Sequence, residues 1–407
     1  MTAATTETVT DPFLTEEFHT DPNAVIARMR EEDPVHQIAG LGAWMVTRYD
    51  DVRALFTHPD ATNDRRTYAH YQLPSDPMAR WIAENSLFAA PPDQHARQRN
   101  LVAAAFTPRA VKRMEDQVRE VVREFAAPVR GCKGKVDLYA EFTEPIPNMV
   151  IGRITGVPPN GNDELRWRQL GRDAVRGVSP FLTPEERLRS ERSMVELCEY
   201  VRDLAAERRK KPGEDLISDL VLAHDEDDRM TNDEIMLMIS ALVAAGTETA
   251  TIGGTRGIRT LLQHPDQMER LRREPSLMPN AVNEILRFDF GSLGLPRYAV
   301  RDFELRGKQI REGELLVLSF SGAHRDPEVF PDPDRFDIGR DTSRLTIFGH
   351  GPHYCLGANL ARTELACMFE AALDFLPPGA RLLEDQIDWV RFGMFSSING
   401  LPVDFGV

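Results

Sequence analysis

The chain has 407 residues, 42% of them hydrophobic and 28% charged, with a formal net charge of −15 at pH 7. That length carries a large buried core, and the acidic balance argues against nucleic acid as a general partner. Four cysteines (Cys132, Cys198, Cys355 and Cys367) are too few and too scattered for a disulfide framework and read as free thiols of a reducing cytosol.

The opening stretch MTAATTETVTDPFLTEEFHTDP has neither a basic region nor an apolar core, so it does not read as a signal peptide, and residues 1–10 read as disordered. No stretch approaches the ~18 consecutive apolar residues of a membrane span. The most apolar run, IMLMISALVAA at 235–245, is short and contains a serine. A soluble cytoplasmic chain is expected, with no membrane partner. Residues 38–50 read as short strands, and 66–92, with Pro74, Pro77 and a proline pair, as a long loop with little regular structure. A helical pattern runs from Asp93 to about Phe125 with a break at Pro108. Two helices, 163–177 and 185–210, flank the turn VSPFLTPEE, and DLISDLVLAHDEDDR adds another helix and a charged loop.

Thr231-Asn232-Asp233-Glu234 carries the capping-box pattern and opens a long helix through the apolar run toward Leu262. Residues 278–290 are helical again, and 297–320 alternates in β fashion, with turns at Arg306-Gly307 and Glu312-Gly313. A last helix is marked by Leu360, Ala361, Leu365, Phe369 and Leu373. The expected fold class is mainly α with a minor β part. No repeat and no linker-like stretch interrupts it, which predicts one compact domain over 1–407.

Cys355 sits at or just ahead of that last helix, where exposed amides and the macrodipole favour an anion by roughly 0.3–1 kcal/mol. Such a position lowers a thiol's pKa and makes a thiolate, either a nucleophile or a metal ligand. A zinc site on His350, His353 and Cys355 lacks a fourth ligand and matches no common spacing. A cysteine hydrolase would need a histidine within a recognisable signature. An inert buried cysteine is the bland alternative. The full pattern is Phe348-x-x-Gly351-x-x-x-Cys355-x-Gly357, which this composition yields by chance about twice in a million starts, or roughly once in a thousand such chains.

Three other motifs accompany it. Ala245-Gly246-Thr247-Glu248-Thr249 lies midway along the long helix, where polar side chains are costly unless partnered, and the Thr249 hydroxyl can bond a carbonyl one turn earlier. Glu284-Ile285-Leu286-Arg287 sets opposite charges three apart on one helix face, and His95 and Arg99 lie four apart on another.

From about residue 10 to the end, the chain resembles the cytochrome P-450 family, in which a cysteine thiolate holds haem. The resemblance implies haem b between the long helix and the cysteine-loop helix, with Cys355 as the iron ligand. Phe348 would pack beside the sulphur, and Gly351 and Gly357 would shape the loop. His95, Arg99, Arg297 and His353 would meet the propionates. Thr249 would hold dioxygen and its water, and Glu248 would gate protons. Ala250 stands where the family often has Thr or Ser, and His324 where asparagine is more usual. Glu284, Arg287 and Arg335 would form a buried structural lock.

By the same resemblance the substrate pocket draws on the 66–90 loop with Tyr68, Tyr71, Leu73 and Phe88. Leu242, Val243 and Ala245 of the long helix, Leu293 and Leu295, and Met394 and Phe395 would complete it. These are mostly apolar, which implies a terpenoid, steroid, fatty acid or aromatic substrate for an O2-dependent hydroxylation. No flavin domain or GxGxxG loop is evident, so a separate ferredoxin and ferredoxin reductase are expected as electron donors. Arg97, Arg109, Lys112 and Arg113 would offer a docking surface, and the protein would be a monomer. A haem sensor or carrier and a peroxide-driven enzyme on the same fold are the rival readings, and the Glu248-Thr249 pair speaks against both.

Overall fold

A computed structural model describes residues 11–157, 162–222, 230–392 and 394–406. The expected disorder at 1–10 and the charged loop at 223–229 lie outside the described residues. In chain order the first elements are α1 (Glu16–Thr20), α2 (Pro22–Glu32), β1 (Val35–Ile38), β2 (Ala43–Val46), α3 (Tyr49–Leu55) and β3 (Ala61–Thr62). Next come α4 (Pro77–Asn85), α5 (Pro92–Ala103), α6 (Pro108–Val129), β4 (Lys135–Asp137), α7 (Pro145–Thr155), α8 (Asn162–Arg176), α9 (Pro184–Lys210) and α10 (Leu216–Leu222). The long α11 (Asn232–Gln263) leads to α12 (Pro265–Arg273), α13 (Met278–Asp289), β5 (Gly294–Ala299), β6 (Phe303–Leu305), β7 (Lys308–Ile310), β8 (Leu315–Ser319) and α14 (Phe320–Ala323). The chain closes with α15 (Ala358–Phe375), β9 (Arg381–Leu382), β10 (Asp388–Phe392), β11 (Phe395–Gly400) and β12 (Pro402–Asp404). The fold is mainly α with a minor β part, as the sequence implies.

The chain forms two compact units. One comprises the described residues up to Gln72 together with Leu293–Asp334 and Gly349–Gly351. It is organised by a five-stranded sheet in the order β1-β2-β8-β5-β3. Only β2 and β8 run parallel. The central β8, Leu-Leu-Val-Leu-Ser, is buried at every position, so it reads as a continuous apolar run rather than an alternation. The expected turn at Arg306-Gly307 joins β6 to β7, with φ of 48° and 75°.

The second unit holds the remaining helices, packed around α11. Both bonds of the α11 capping box are made: the Glu234 amide donates to Thr231 Oγ1 at 3.2 Å, and the Thr231 amide donates to Glu234 Oε2 at 2.8 Å. By length and composition α11 is apolar enough to cross a membrane, but 67% of its most apolar stretch is buried, as in a core helix. It packs against α15 through glycines. A Cβ on Gly257 would stand 2.3 Å from Phe369 Cζ, and one on Gly254 2.5 Å from Met368 Cε. The two helices therefore approach more closely than alanine would allow.

One expectation fails here. Residues 66–92 are not a continuous loop, because α4 forms within them. Asp76 accepts the Ala79 amide at 2.8 Å, and Pro77 occupies the first turn, where its missing N–H costs nothing. Ile82 of α4 then packs with Cys198 of α9 and Met236 of α11. Pro77 and Pro92, two of the prolines that suggested a loop, are helix starts.

Candidate functional site

Cys355 lies three residues ahead of α15. Its amide donates to the Phe348 carbonyl at 2.8 Å, closing the turn, and the Gly357 amide donates toward its sulphur. Gly351, which belongs to the sheet unit, has φ of 73°, and a Cβ there would fall 2.3 Å from Thr57 Cγ2. Gly357 differs: its φ is −82°, and a Cβ would meet nothing within 4 Å. Open space borders the turn at that point.

Cys355 is accessible, yet enough protein surrounds it for burial to push its thiol up. Accessibility and burial coexist where a side chain lines an internal void. The Gly357 amide, Arg99 and Arg362 act the other way, toward the thiolate, but do not outweigh burial. A coordinated metal ion would deprotonate this thiol outright.

Cations and imidazoles flank the turn. His95, buried on α5, stacks against His353 with ring centres 4.1 Å apart. Burial, then the neighbouring Arg99, lowers the His95 pKa. Arg99 donates to the Tyr354 carbonyl, and Arg362 covers the Phe348 ring at 4.2 Å. The predicted trio of His95, Arg99 and His353 is thus gathered around the cysteine turn. Arg297 lies on β5 in the sheet unit, where its guanidinium stacks on Phe56 at 5.1 Å and donates to the Pro296 carbonyl. No carboxylate among the described residues pairs with it, and burial lowers its pKa to about 10.

On α11, Thr249 Oγ1 donates to the Ala245 carbonyl at 2.6 Å. Ala245 is exposed, and Leu242, Gly246 and Thr249 are partly so, whereas Val243, Ala244, Thr247 and Glu248 are buried. The accessible positions are spaced i, i+3, i+4 and i+7, one face of the helix. That face borders space midway along a core element. Glu248 points elsewhere. Ser397 donates to its Oε1 at 3.4 Å, and Arg172 Nε stands 3.9 Å from its Oε2. Burial pushes the Glu248 carboxyl up, against the pull of Arg172 and Arg176.

The sequence reading missed these partners. Arg168 and Arg172 of α8 both bind Glu144, the latter at 2.7 Å. Arg168, Arg172 and Arg176 recur every four residues on a helix that otherwise buries Trp167, Leu170 and Asp173, and such a stripe could have signalled an internal acid.

Other expectations need correction. Glu284 and Arg287 form a fully buried pair at 2.7 Å, but the third member is Arg340, whose Nε reaches Glu284 Oε1 at 3.1 Å. The Arg335 side chain is 64% exposed and lies 3.9 Å from Asp337, and only its carbonyl joins the cluster, accepting from Arg287 and Arg340. Arg340 reaches Glu284 because the Asp337 amide also binds Glu284, folding the chain back on it. Val243 and Met394 are wholly buried and present no surface to a pocket. Phe395 packs on Ile252 and Val390. Phe88 and Leu73 are exposed, and Leu293 and Leu295 are half-buried in the sheet unit. Of the basic cluster, Arg97 is bound to Glu234 and Lys112 to Glu115 at 2.6 Å, while Arg109 and Arg113 are exposed.

These features suit a haem held by Cys355. The accessible sulphur, the open space at Gly357 and the accessible face of α11 give an apolar ring system room. His95, Arg99 and His353 supply donors for its carboxylates.

Comparison with known proteins gives a consistent picture. The family description Cytochrome P-450 matches residues 185–374. The cytochrome P-450 monooxygenase PikC of Streptomyces venezuelae is 34% identical over 399 residues, 96% of this chain and 92% of PikC. Vitamin D(3) 25-hydroxylase of Pseudonocardia autotrophica is 36% identical over 372 residues, 89% of this chain and 88% of that enzyme. Among solved structures, the Bacillus subtilis bacillaene polyketide synthase cytochrome P-450 PksS superposes with a TM-score of 0.86 at 29% identity, covering 97% of this chain and 99% of that one.

Proposed function

The chain belongs to the cytochrome P-450 family of haem b monooxygenases, and on that premise we propose that Cys355 is its iron ligand, that Thr249 and Glu248 manage protons, and that it hydroxylates a hydrophobic small molecule. The observation that carries the assignment is the accessible Cys355 sulphur, set ahead of α15 in a turn flanked by His95, Arg99 and His353.

When bound, haem supplies the redox chemistry, in which two electrons and two protons convert O2 and a C–H bond to an alcohol and water. The chain's own residues hold and time that chemistry. Cys355 offers its sulphur, with the Gly357 amide as donor and Arg99 and Arg362 as balancing charge. His95, Arg99 and His353 are assigned to the propionates, and the buried Arg297 suits an anionic partner. The Thr249 hydroxyl, anchored on the Ala245 carbonyl, keeps a fixed oxygen at the accessible face of α11. Glu248, whose carboxyl is pushed up by burial, is assigned as the acid of the proton transfer.

Leu242 and Ala245 are assigned to an apolar substrate contact. Two relatives, one named for vitamin D(3) and one for a polyketide synthase, support a bulky apolar substrate of the terpenoid, steroid or polyketide kind. Electrons are assigned to a ferredoxin and its reductase, docking at Arg109, Lys112 and Arg113. Incubation with a surrogate ferredoxin system, apolar candidates that shift the haem spin state, and 18O2 tests the reaction. One 18O atom in the product is expected. Product carrying only water-derived oxygen would overturn the proposal.

A further inference from the structure

The hairpin β10–β11 lies along a single stripe of α11 formed by Glu248, Ile252, Arg256 and Arg259. Trp389 of β10 stacks over the Arg256 and Arg259 guanidiniums at 5.1 and 5.0 Å. Arg256, which also binds Asp289, donates from Nη1 to the Ser396 carbonyl at 3.1 Å. Phe395 packs on Ile252. The Ser396 amide donates to the Gly291 carbonyl at 2.7 Å, and Gly291, at φ of 80°, leaves no space there for a Cβ, which would fall 2.5 Å from Ser396 O. The backbone around Ser396 is therefore held from two sides.

Residues two apart on a strand share a face. Phe395 and Ser397 thus both meet α11, one turn apart, at Ile252 and Glu248. Ser397 is 1% exposed, and the one hydrogen bond of its hydroxyl among the described residues is to Glu248 Oε1 at 3.4 Å. A strand whose backbone is clamped by Arg256 gives that hydroxyl little freedom to turn elsewhere.

We infer that Ser397 is a positioning residue for Glu248, so that the seat of the hairpin on α11 sets how readily Glu248 holds its proton. The inference rests on the assignment of Glu248 as the proton-passing acid. The charged and titratable groups facing Glu248 are Arg172 and Arg176 of α8, Glu144 beside the start of α7, and the buried Tyr139, whose hydroxyl has no hydrogen-bond partner among the described residues. Arg172 and Arg176 favour the carboxylate, Glu144 opposes it, and Ser397 reaches it from the hairpin. A hydroxyl that donates to the charged form favours that form, so its removal must leave the acid protonated to higher pH.

The test is infrared titration of buried carboxylic acid carbonyl bands in the haem-loaded protein, for wild type and Ser397→Ala. Glu248→Gln assigns the band of interest. Glu364→Gln assigns that of Glu364, a buried acid on α15 that serves as an internal reference. The expected result is a Glu248 midpoint moved to higher pH in Ser397→Ala with the Glu364 midpoint unmoved. A Glu248 midpoint that stays in place overturns the inference, as does a displacement of both bands together, the mark of general loosening. The readout involves no turnover, so an absent cysteine-ligated haem spectrum would defeat the functional assignment separately.

Discussion

Thr249 Oγ1 donates a 2.6 Å hydrogen bond to the carbonyl of Ala245, one turn back on the accessible face of α11. A free hydroxyl on a helix rotates, whereas one pledged to the i−4 carbonyl presents its lone pairs in a fixed direction. Thr249→Ala removes that oxygen. We expect product formed per electron pair to fall about tenfold, the worth of one hydrogen bond near 1.4 kcal/mol, with the balance released as peroxide. Thr249→Ser should keep most of the coupling. Measuring product and peroxide together checks this, and undiminished coupling in the alanine variant would remove Thr249 from the mechanism.

The buried Glu284–Arg287–Arg340 cluster yields a comparison of two arginines. Arg340→Ala strips a charge partner from a fully buried glutamate and should cost roughly 3–5 kcal/mol of stability. Arg335→Ala removes only a 64% exposed side chain and should change stability by no more than about 0.5 kcal/mol. Denaturant unfolding of both variants separates the two roles, and similar losses would contradict the cluster described.

Glu364 gives a pH dependence. It is buried on α15, its Oε1 has no partner among the described residues, and burial raises its pKa from 4.5 to about 8. Between those values the folded chain keeps a proton that the unfolded chain has lost. Its contribution to stability is therefore whole below pH 4.5 and drains away as pH climbs to 8. Glu364→Gln should flatten that slope, a difference on the order of a few kcal/mol across the range. Unfolding at several pH values checks it, and parallel curves for the two proteins would refute it.

Close packing of α11 on α15 is a third point of attack. Gly257→Ala drives a methyl toward the Phe369 ring at 2.3 Å and Ile285 Cγ2 at 3.0 Å, whereas Gly254→Ala meets chiefly the flexible end of Met368. Overpacking of this kind costs about 1–3 kcal/mol. Gly257→Ala should be the more destabilising and should retain less haem on purification. Equal haem content and stability for the two variants would argue against this ranking.

What could be read from the sequence was local or covalently patterned. The α11 start was legible because a capping box places both partners within four residues, and the cysteine turn because glycine and cysteine spacing is itself the signal. α4 was missed because Pro77 was taken as a loop residue rather than as a first-turn residue behind the Asp76 cap. Arg335 is named by resemblance, from its place in PDPDRFDIGR, and that placement says nothing about which guanidinium turns inward. That choice depends on the Asp337 amide binding Glu284. Val243 is a pocket residue by resemblance yet lies in packed core, because tertiary contacts decide which apolar positions of a helix line a cavity. That Arg172 and Ser397 meet at Glu248 is not legible, since each reaches it from a distant part of the chain.

The most direct test of the account is the spectrum of the purified protein, reduced and exposed to carbon monoxide. The account predicts a strongly red-shifted Soret band, the mark of cysteine-ligated haem, that vanishes in Cys355→Ser. A band typical of histidine ligation, or a protein that neither contains haem nor takes it up, would contradict it.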